Sequence, residues 1–241
     1  MGDLKNIGIR VGDIIMVHAS LRAVGEVEGR GEGLVRSLLS VLGESGTLLA
    51  YVDFEPTDEV PYFDPERSPA RPGYGTLAEI IRRWPGAVRS LNPGASMVAV
   101  GARAEWICRD HPLNYGYGAG TPLAKLAESG GKVLLLGSDF NNVTILHYAE
   151  SIADIPDKRV IKRTDKVLSG GEVIDLIVEE FDTGNPVISA MPEDYFAEIT
   201  REFVNLGRAQ VGLVGSARSV LLPAGKFVSF AVSKMEREFG F

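Results

Sequence analysis

Three histidines punctuate the chain, and one of them has a carboxylate close by in sequence. His147 stands in Thr144-Ile145-Leu146-His147-Tyr148-Ala149-Glu150. On a helix, Glu150 three residues on shares its face. An imidazole ordinarily titrates near neutrality, which suits a general base. A core-edge histidine with a satisfied hydrogen bond has the same spacing, and on spacing alone that plainer role is the commoner one. His18 closes the run Met16-Val17-His18-Ala19-Ser20-Leu21-Arg22. If that run is a strand of an open α/β sheet, its carboxyl end is where ligands bind. A histidine that merely shapes the following turn is an equal alternative. His111, in the Gly/Tyr-rich segment from Asp110 to Gly118, reads as structural rather than catalytic.

Carboxylates pose a second question. If Glu172 to Asp182 is a strand, Ile174, Leu176, Val178, Glu180 and Asp182 fall on one face. Burying a carboxylate is costly unless a cation or hydrogen-bond donors meet it. Either the strand has left the core by Glu180, or these acids face a polar cavity. Asp53 and Glu55, just beyond another apolar run, pose the same choice. Other motifs are missing. Gly29-Arg30-Gly31-Glu32-Gly33 lacks dinucleotide-binding spacing, and there is no phosphate-binding P-loop and no HExxH. Gly94-Ala95-Ser96-Met97-Val98 lacks the final glycine of a nucleophile elbow. Ser20-Leu21-Arg22 offers a weak phosphate contact.

The elements that must position these groups alternate between strand and helix. Ile14 to Val17 is a short apolar run, and Leu34, Val35, Leu38, Leu39 and Leu42 form an amphipathic stripe closed by Gly43. Thr47 to Val52, Met97 to Val100 and Val133 to Leu136 read as buried strands, with a short helix around Leu77 to Trp84. Asp53 to Gly75, rich in Pro and acids, reads as a long surface loop, and long loops in compact domains are often functional. Asn141 and Asn142 are placed to cap a helix running from Val143 towards Ile152. Val160 to Phe181 reads as a hairpin turning at Ser169-Gly170-Gly171, followed by amphipathic helices near Pro192 to Leu206 and Ala224 to Phe239. The expected fold is therefore α/β, a central mixed sheet with flanking helices plus a smaller mixed α/β lobe, with residues 1–241 forming either a single domain or two closely packed lobes over about 1–155 and 156–241.

Composition narrows the function. The chain has 241 residues, 45% hydrophobic and 24% charged, as in ordinary globular proteins, and can bury a sizeable core. A net charge of −7 argues against nucleic acid or an anionic membrane as partner and leaves room for a cationic small molecule. The single cysteine, Cys108, excludes an internal disulfide and any multi-cysteine zinc site. The amino terminus lacks the apolar region of a secretory signal, and no stretch reaches the ~18 apolar residues of a membrane span. A cytoplasmic protein, monomeric or homodimeric, is expected.

Longer motifs add a resemblance. Val17-His18-Ala19-Ser20-Leu21-Arg22, Tyr51-Val52-Asp53, Phe63-Asp64-Pro65-Glu66-Arg67-Ser68, Arg89-Ser90-Leu91-Asn92-Pro93-Gly94-Ala95-Ser96, the Asp110 to Gly120 block, Thr144 to Glu150 and Glu179-Glu180-Phe181-Asp182-Thr183-Gly184 all stand in the chain. Together they make it similar to the antibiotic acetyltransferases that modify the 3-amino group of aminoglycosides with acetyl-CoA, in particular the gentamicin-type branch. The resemblance covers the chain from about Val11 to its last helix. It implies an antibiotic N-acetyltransferase-like fold, acetyl-CoA as co-substrate, an aminoglycoside as acceptor and no metal. It also implies His147 as general base with Glu180 as its carboxylate partner. Asp53, Tyr51, Glu150 and Asp182 fall on the antibiotic side; His18, Ser20, Leu21, Arg22, Ala23, Val24 and Ser96 fall on the coenzyme A side. The acidic loop after Asp53 is shorter than in many relatives. Two rival readings remain: the same fold acetylating a different amine, and a metal-dependent hydrolase in which His18, His111 and His147 converge with acids, although these histidines lack any short ligand spacing.

Overall fold

The computed structural model describes residues 1–240. Its strands are β1 (Ile14–Ala19), β2 (Thr47–Tyr51), β3 (Val88–Arg89), β4 (Met97–Gly101), β5 (Lys132–Leu136), β6 (Val160–Ser169), β7 (Glu172–Phe181), β8 (Gln210–Val214) and β9 (Ala217–Pro223). The α-helices are α1 (Gly2–Asn6), α2 (Leu21–Val24), α3 (Arg30–Leu42), α4 (Thr76–Arg82), α5 (Ala104–Cys108), α6 (Pro122–Glu128), α7 (Ile145–Ile152), α8 (Tyr195–Asn205) and α9 (Ala224–Phe239).

Seven strands make one mixed sheet in the order β3-β4-β2-β1-β5-β9-β8. Its centre is parallel: β1 pairs with β2 on one side and with β5 on the other. The flanks are antiparallel, β4 against β2 and β9 against β5. Strand alternation divides the core between the two faces. Met16, Leu49, Met97, Val133, Leu135 and Leu222 pack with Ile107, Leu126, Leu146, Phe227 and Met235 from α5, α6, α7 and α9. Ile15, Val17, Leu48, Val98, Leu134 and Leu136 pack on the other side with Leu4, Leu38, Leu42 and Ile81 from α1, α3 and α4. The expected sheet with flanking helices is the one observed.

The carboxy-terminal part differs from its expected form. The two-lobe alternative is not the arrangement seen, because β8 and β9, which no local pattern announces, join the central sheet through β5. Helix α9 covers that same sheet. Only the hairpin β6-β7 stands apart as a two-stranded sheet. The cause is pairing of distant segments: Leu134 lies opposite Leu221, and nothing local announces that.

Two local expectations change for similar reasons. The segment from Asp53 to Gly75 is more than a surface loop, because Phe54 and Phe63 pack with Val167 of β6 in a small core of their own. Phe63 also exchanges backbone hydrogen bonds with Lys166 and Leu168, at 2.8 Å each. Residues Phe140–Asn142 form a 3-10 turn capped by Asp139, whose Oδ1 accepts from the Asn141 N–H at 2.8 Å; α7 starts only at Ile145, with no side-chain cap. Asn141 serves α8 instead, its Oδ1 accepting the Ala197 N–H at 2.9 Å.

The carboxyl end of β5 needs a glycine. Gly137 has φ +61°, and a Cβ there would sit 2.5 Å from the Ala23 Cβ of α2 and 3.1 Å from that of Ala217. Gly137→Val should therefore lose about 1–3 kcal/mol through its left-handed backbone alone, with the clash added. Urea unfolding of the variant checks this; a midpoint equal to the parent's would contradict it.

Candidate active site

A cavity of about 960 Å³ opens over the carboxyl ends of β1, β2 and β5. This is the point where the chain leaves the central strand for neighbours on opposite sides, and such switch points form crevices in α/β sheets. Strand β1 contributes Val17 to Ala19, the end of β2 contributes Tyr51 and Asp53, and the end of β5 contributes Gly137, Ser138 and Asp139. Helix α7 adds His147 and Glu150, and the start of α8 adds Tyr195 and Phe196.

His147 and Glu150 do share a helix face. His147 Nδ1 lies 2.7 Å from Glu150 Oε2, and Glu150 is buried. The His147 ring sits between those of Tyr117 and Phe196, each with its centroid 5.0 Å away. With the proton on Nδ1 donated to the carboxylate, Nε2 is left as the acceptor. Packing from both sides and a buried carboxylate fix the ring's plane and tautomer together.

The expected partner, Glu180, is engaged elsewhere. It is buried on β7, accepts the Gly116 N–H at 3.1 Å through Oε2, and pairs through Oε1 with the Arg163 guanidinium. Arg163 in turn donates to Asp165 at 2.9 Å. The face ending in a carboxylate is thus paid for by a cation and a backbone donor. Glu180 anchors the loop that carries Tyr117. Asn92 anchors the same loop from the other side, its amide donating to Pro112 O at 2.8 Å and Tyr115 O at 3.1 Å. Gly116 allows the approach, since a Cβ there would lie 2.4 Å from the Ala95 Cβ and 2.8 Å from Glu180 Oε2.

Asp53 sits within a cluster of phenols. Tyr74 donates to its Oδ2 at 3.1 Å, and Tyr51 approaches the same atom at 3.5 Å while bonding Tyr117 at 2.8 Å. Its Oδ1 is buried with no partner. Burial pushes the Asp53 carboxyl up to about 7, while the Tyr74 hydroxyl, the Arg71 charge and the Tyr51 hydroxyl pull the other way.

Several other expected site residues stand off the cavity wall. Asp182 accepts from the Gly184 N–H at 3.1 Å and from Asn185 at 3.0 Å, shaping the turn after β7. Ser96 is fully buried, donating to Val52 O at 2.8 Å and accepting from Arg89 at 3.2 Å. Ser20 does line the cavity, and its Oγ caps α2 by accepting the Ala23 N–H at 3.3 Å. Leu21, Arg22, Ala23 and Val24 form the turn behind it, with Val24 in the core. His111 is buried away from the cavity between Ser90 Oγ (2.9 Å) and Gly116 O (3.2 Å), and burial lowers its pKa to about 4. It therefore does not meet His18 and His147, as a shared metal site requires. Among the described residues no group of three or more His, Cys, Asp or Glu is placed to hold a metal ion.

Ser138, Tyr117, Tyr74 and Phe196 were not singled out from sequence. Ser138 follows β5 as Ser20 follows β1, so the strand-end rule could have found it. Phe196 arrives from a distant helix and carries no such signal.

A family model for aminoglycoside 3-N-acetyltransferases matches residues 16–236. The chain belongs to that family. Aminoglycoside N(3)-acetyltransferase III of Serratia marcescens is 40% identical, the match covering 99% of this chain and 96% of that protein. The enzyme of the same name from Salmonella sp is 38% identical over 98% of this chain and 90% of its own. Among solved structures, AAC-IIIb in a binary complex with CoASH superposes with a TM-score of 0.96 at 44% identity, covering 99% of this chain and 95% of that one. AAC-VIa bound to sisomicin superposes with a TM-score of 0.93 at 33% identity, over 100% and 97% of the two chains. Among the described residues of this acetyltransferase no helix is long and apolar enough to cross a membrane.

Asp53 gives the acetyltransferase a pH-dependent stability. Its folded pKa of about 7 lies above the ordinary carboxylate value, so the folded state binds more protons between roughly pH 4 and 7. Stability contributed by the protonated carboxyl is full below that window and is lost as pH rises through about 7. Asp53→Asn should flatten this slope, leaving the variant more stable than the parent at pH 8. Thermal melts of both proteins at pH 5 and 8 check the sign; parallel behaviour at the two values would refute it.

Proposed function

We propose that this acetyltransferase moves the acetyl group of acetyl-CoA onto the 3-amino group of an aminoglycoside, with His147 accepting the proton that the amine gives up. The observation that carries this reading is the His147–Glu150 contact of 2.7 Å in the wall of the cavity at the sheet's switch point. An amine attacks a thioester only as the free base, so a group must remove its proton and a surface must aim its lone pair. His147 Nε2 takes that proton. Glu150 holds the ring and stabilises the imidazolium, the base-plus-orienter arrangement of catalytic triads without a covalent enzyme intermediate.

The cavity suits a polycation on one flank. Asp53 offers an unpartnered carboxylate oxygen beside the Tyr51 and Tyr74 hydroxyls, and the net charge of −7 favours approach of ammonium groups. An ammonium facing Asp53 offsets the cost of its burial and draws it to the ionised form. Asp182, which turns towards Asn185, contributes field rather than contact. A cytoplasmic location fits a reaction that consumes acetyl-CoA.

Thiol release from acetyl-CoA, followed with gentamicin, kanamycin and apramycin, tests the reaction, with NMR locating the acetyl group. Aminoglycoside-dependent release with acetylation of the 3-amine is expected. Coenzyme A binding without release for all three would redirect the assignment to a different amine. His147→Ala should lower kcat by about 10²- to 10⁴-fold, the range of general-base assistance, with coenzyme A affinity little changed. Glu150→Gln, which keeps a hydrogen bond but removes the charge, should lose less. Unchanged turnover in His147→Ala would remove this residue from the mechanism.

A further inference from the structure

Among the described residues, three buried side-chain polar atoms have no hydrogen-bond partner within the protein: His18 Nε2, Asp53 Oδ1 and Ser138 Oγ. All three residues line the one cavity. Leaving a buried donor or acceptor unpaired is costly, so proteins rarely tolerate it without a use. Here the three follow the order of the parallel strands. Asp53 lies just past the end of β2, His18 is at the end of β1, and Ser138 is just past the end of β5. The carboxylate is on one flank of the crevice. The neutral pair occupies its centre and opposite flank.

We propose that His18 and Ser138 are further catalytic residues, which together donate hydrogen bonds to the thioester carbonyl oxygen of the acetyl donor as negative charge develops on it. The inference rests on the acetyl-transfer reading above and deepens it. Asp53 cannot serve, since a carboxylate would repel that charge and a carboxyl on the acceptor's flank is needed by the ammonium groups. His18 remains a neutral donor, because burial lowers its pKa to about 4. In the tautomer with the proton on Nε2, the imidazole offers one N–H and gains nothing to give up at working pH. A neutral imidazole is an effective electrophile of this kind. Ser138 offers an O–H that no protein acceptor claims.

The two donors act in one balanced step. The amine lone pair forms the new N–C bond while the C=O π pair moves onto oxygen, where His18 and Ser138 meet it. The proton on nitrogen passes to His147. Return of the oxygen pair reforms the carbonyl and breaks the C–S bond, and the departing thiolate takes up the proton. Products are the amide and the free thiol.

The experiment separates this role from simple binding of the coenzyme arm, because free CoASH lacks the acyl oxygen. Turnover and affinity for CoASH are measured in the parent and in Ser138→Ala, Ser138→Thr, His18→Ala and His18→Gln. Ser138→Ala and His18→Ala should each lower kcat by roughly 10²-fold, the loss typical of one such donor. CoASH affinity should stay within about twofold, which also reports that the fold is intact. Ser138→Thr and His18→Gln, which keep a donor, should recover part of kcat. Unchanged kcat in both alanine variants would overturn the inference. So would CoASH affinity falling in step with kcat/KM, which would make the pair part of the coenzyme's binding surface. An inactive parent would instead defeat the acetyl-transfer reading itself.

Discussion

The site depends on the parallel pairing of β2, β1 and β5. Because β1 is central and its neighbours run the same way, three carboxyl ends finish on one edge, and the chain must leave that edge in different directions. The gap between departing segments is the cavity. A mixed sheet with an antiparallel centre would send alternate strand ends to opposite edges and separate Asp53 from His18 and Ser138. The antiparallel additions occur only outside the trio, where they widen the sheet without disturbing that edge.

Around this edge, long-range clamps fix the loops. The segment carrying Tyr117 is gripped by Asn92 from below and by Glu180 from the hairpin. The loop after Asp53 is held by half-buried Arg89, which donates to Val52 O and Ser68 O and stacks 4.7 Å over Phe63. Burial lowers the Arg89 pKa to about 9, and carbonyl acceptors with an aromatic face stand in for a carboxylate partner. Such buried polar networks are costly when half made, which is why each member here is met by a donor or an acceptor. The cavity wall is the exception. There Asp53, His18 and Ser138 retain unmet capacity, on a scaffold too well tied to absorb it.

Much of this was legible along the chain. Apolar runs and stripes placed β1, β2, β4, β5 and α9 within a residue or two, because burial imposes a period of two on strands and 3.6 on helices. The spacing of His147 and Glu150 put them on one helical face, and helix geometry delivered their contact. The oddity of Glu180 on an apolar strand face was a sound signal that something polar meets it. Its nature was not legible: Arg163 is across the hairpin, while Gly116 is 64 residues away in sequence. The resemblance drew Glu180 to His147, but a buried carboxylate goes to the nearest cation and N–H.

By itself the sequence determined the α/β class, the strand ends that could bear chemistry, the helix carrying His147 and Glu150, and an acidic balance suited to a cationic partner. Local periodicity, composition and motif content encode all of these. Tertiary structure alone decided that β8 and β9 return to the first sheet, that Phe196 and Tyr117 flank His147, and that Glu180 secures a loop. It also decided which polar atoms stay unpaired. Hydrogen-bond satisfaction is a property of the whole packed chain, since any donor can be met by any acceptor the fold brings near.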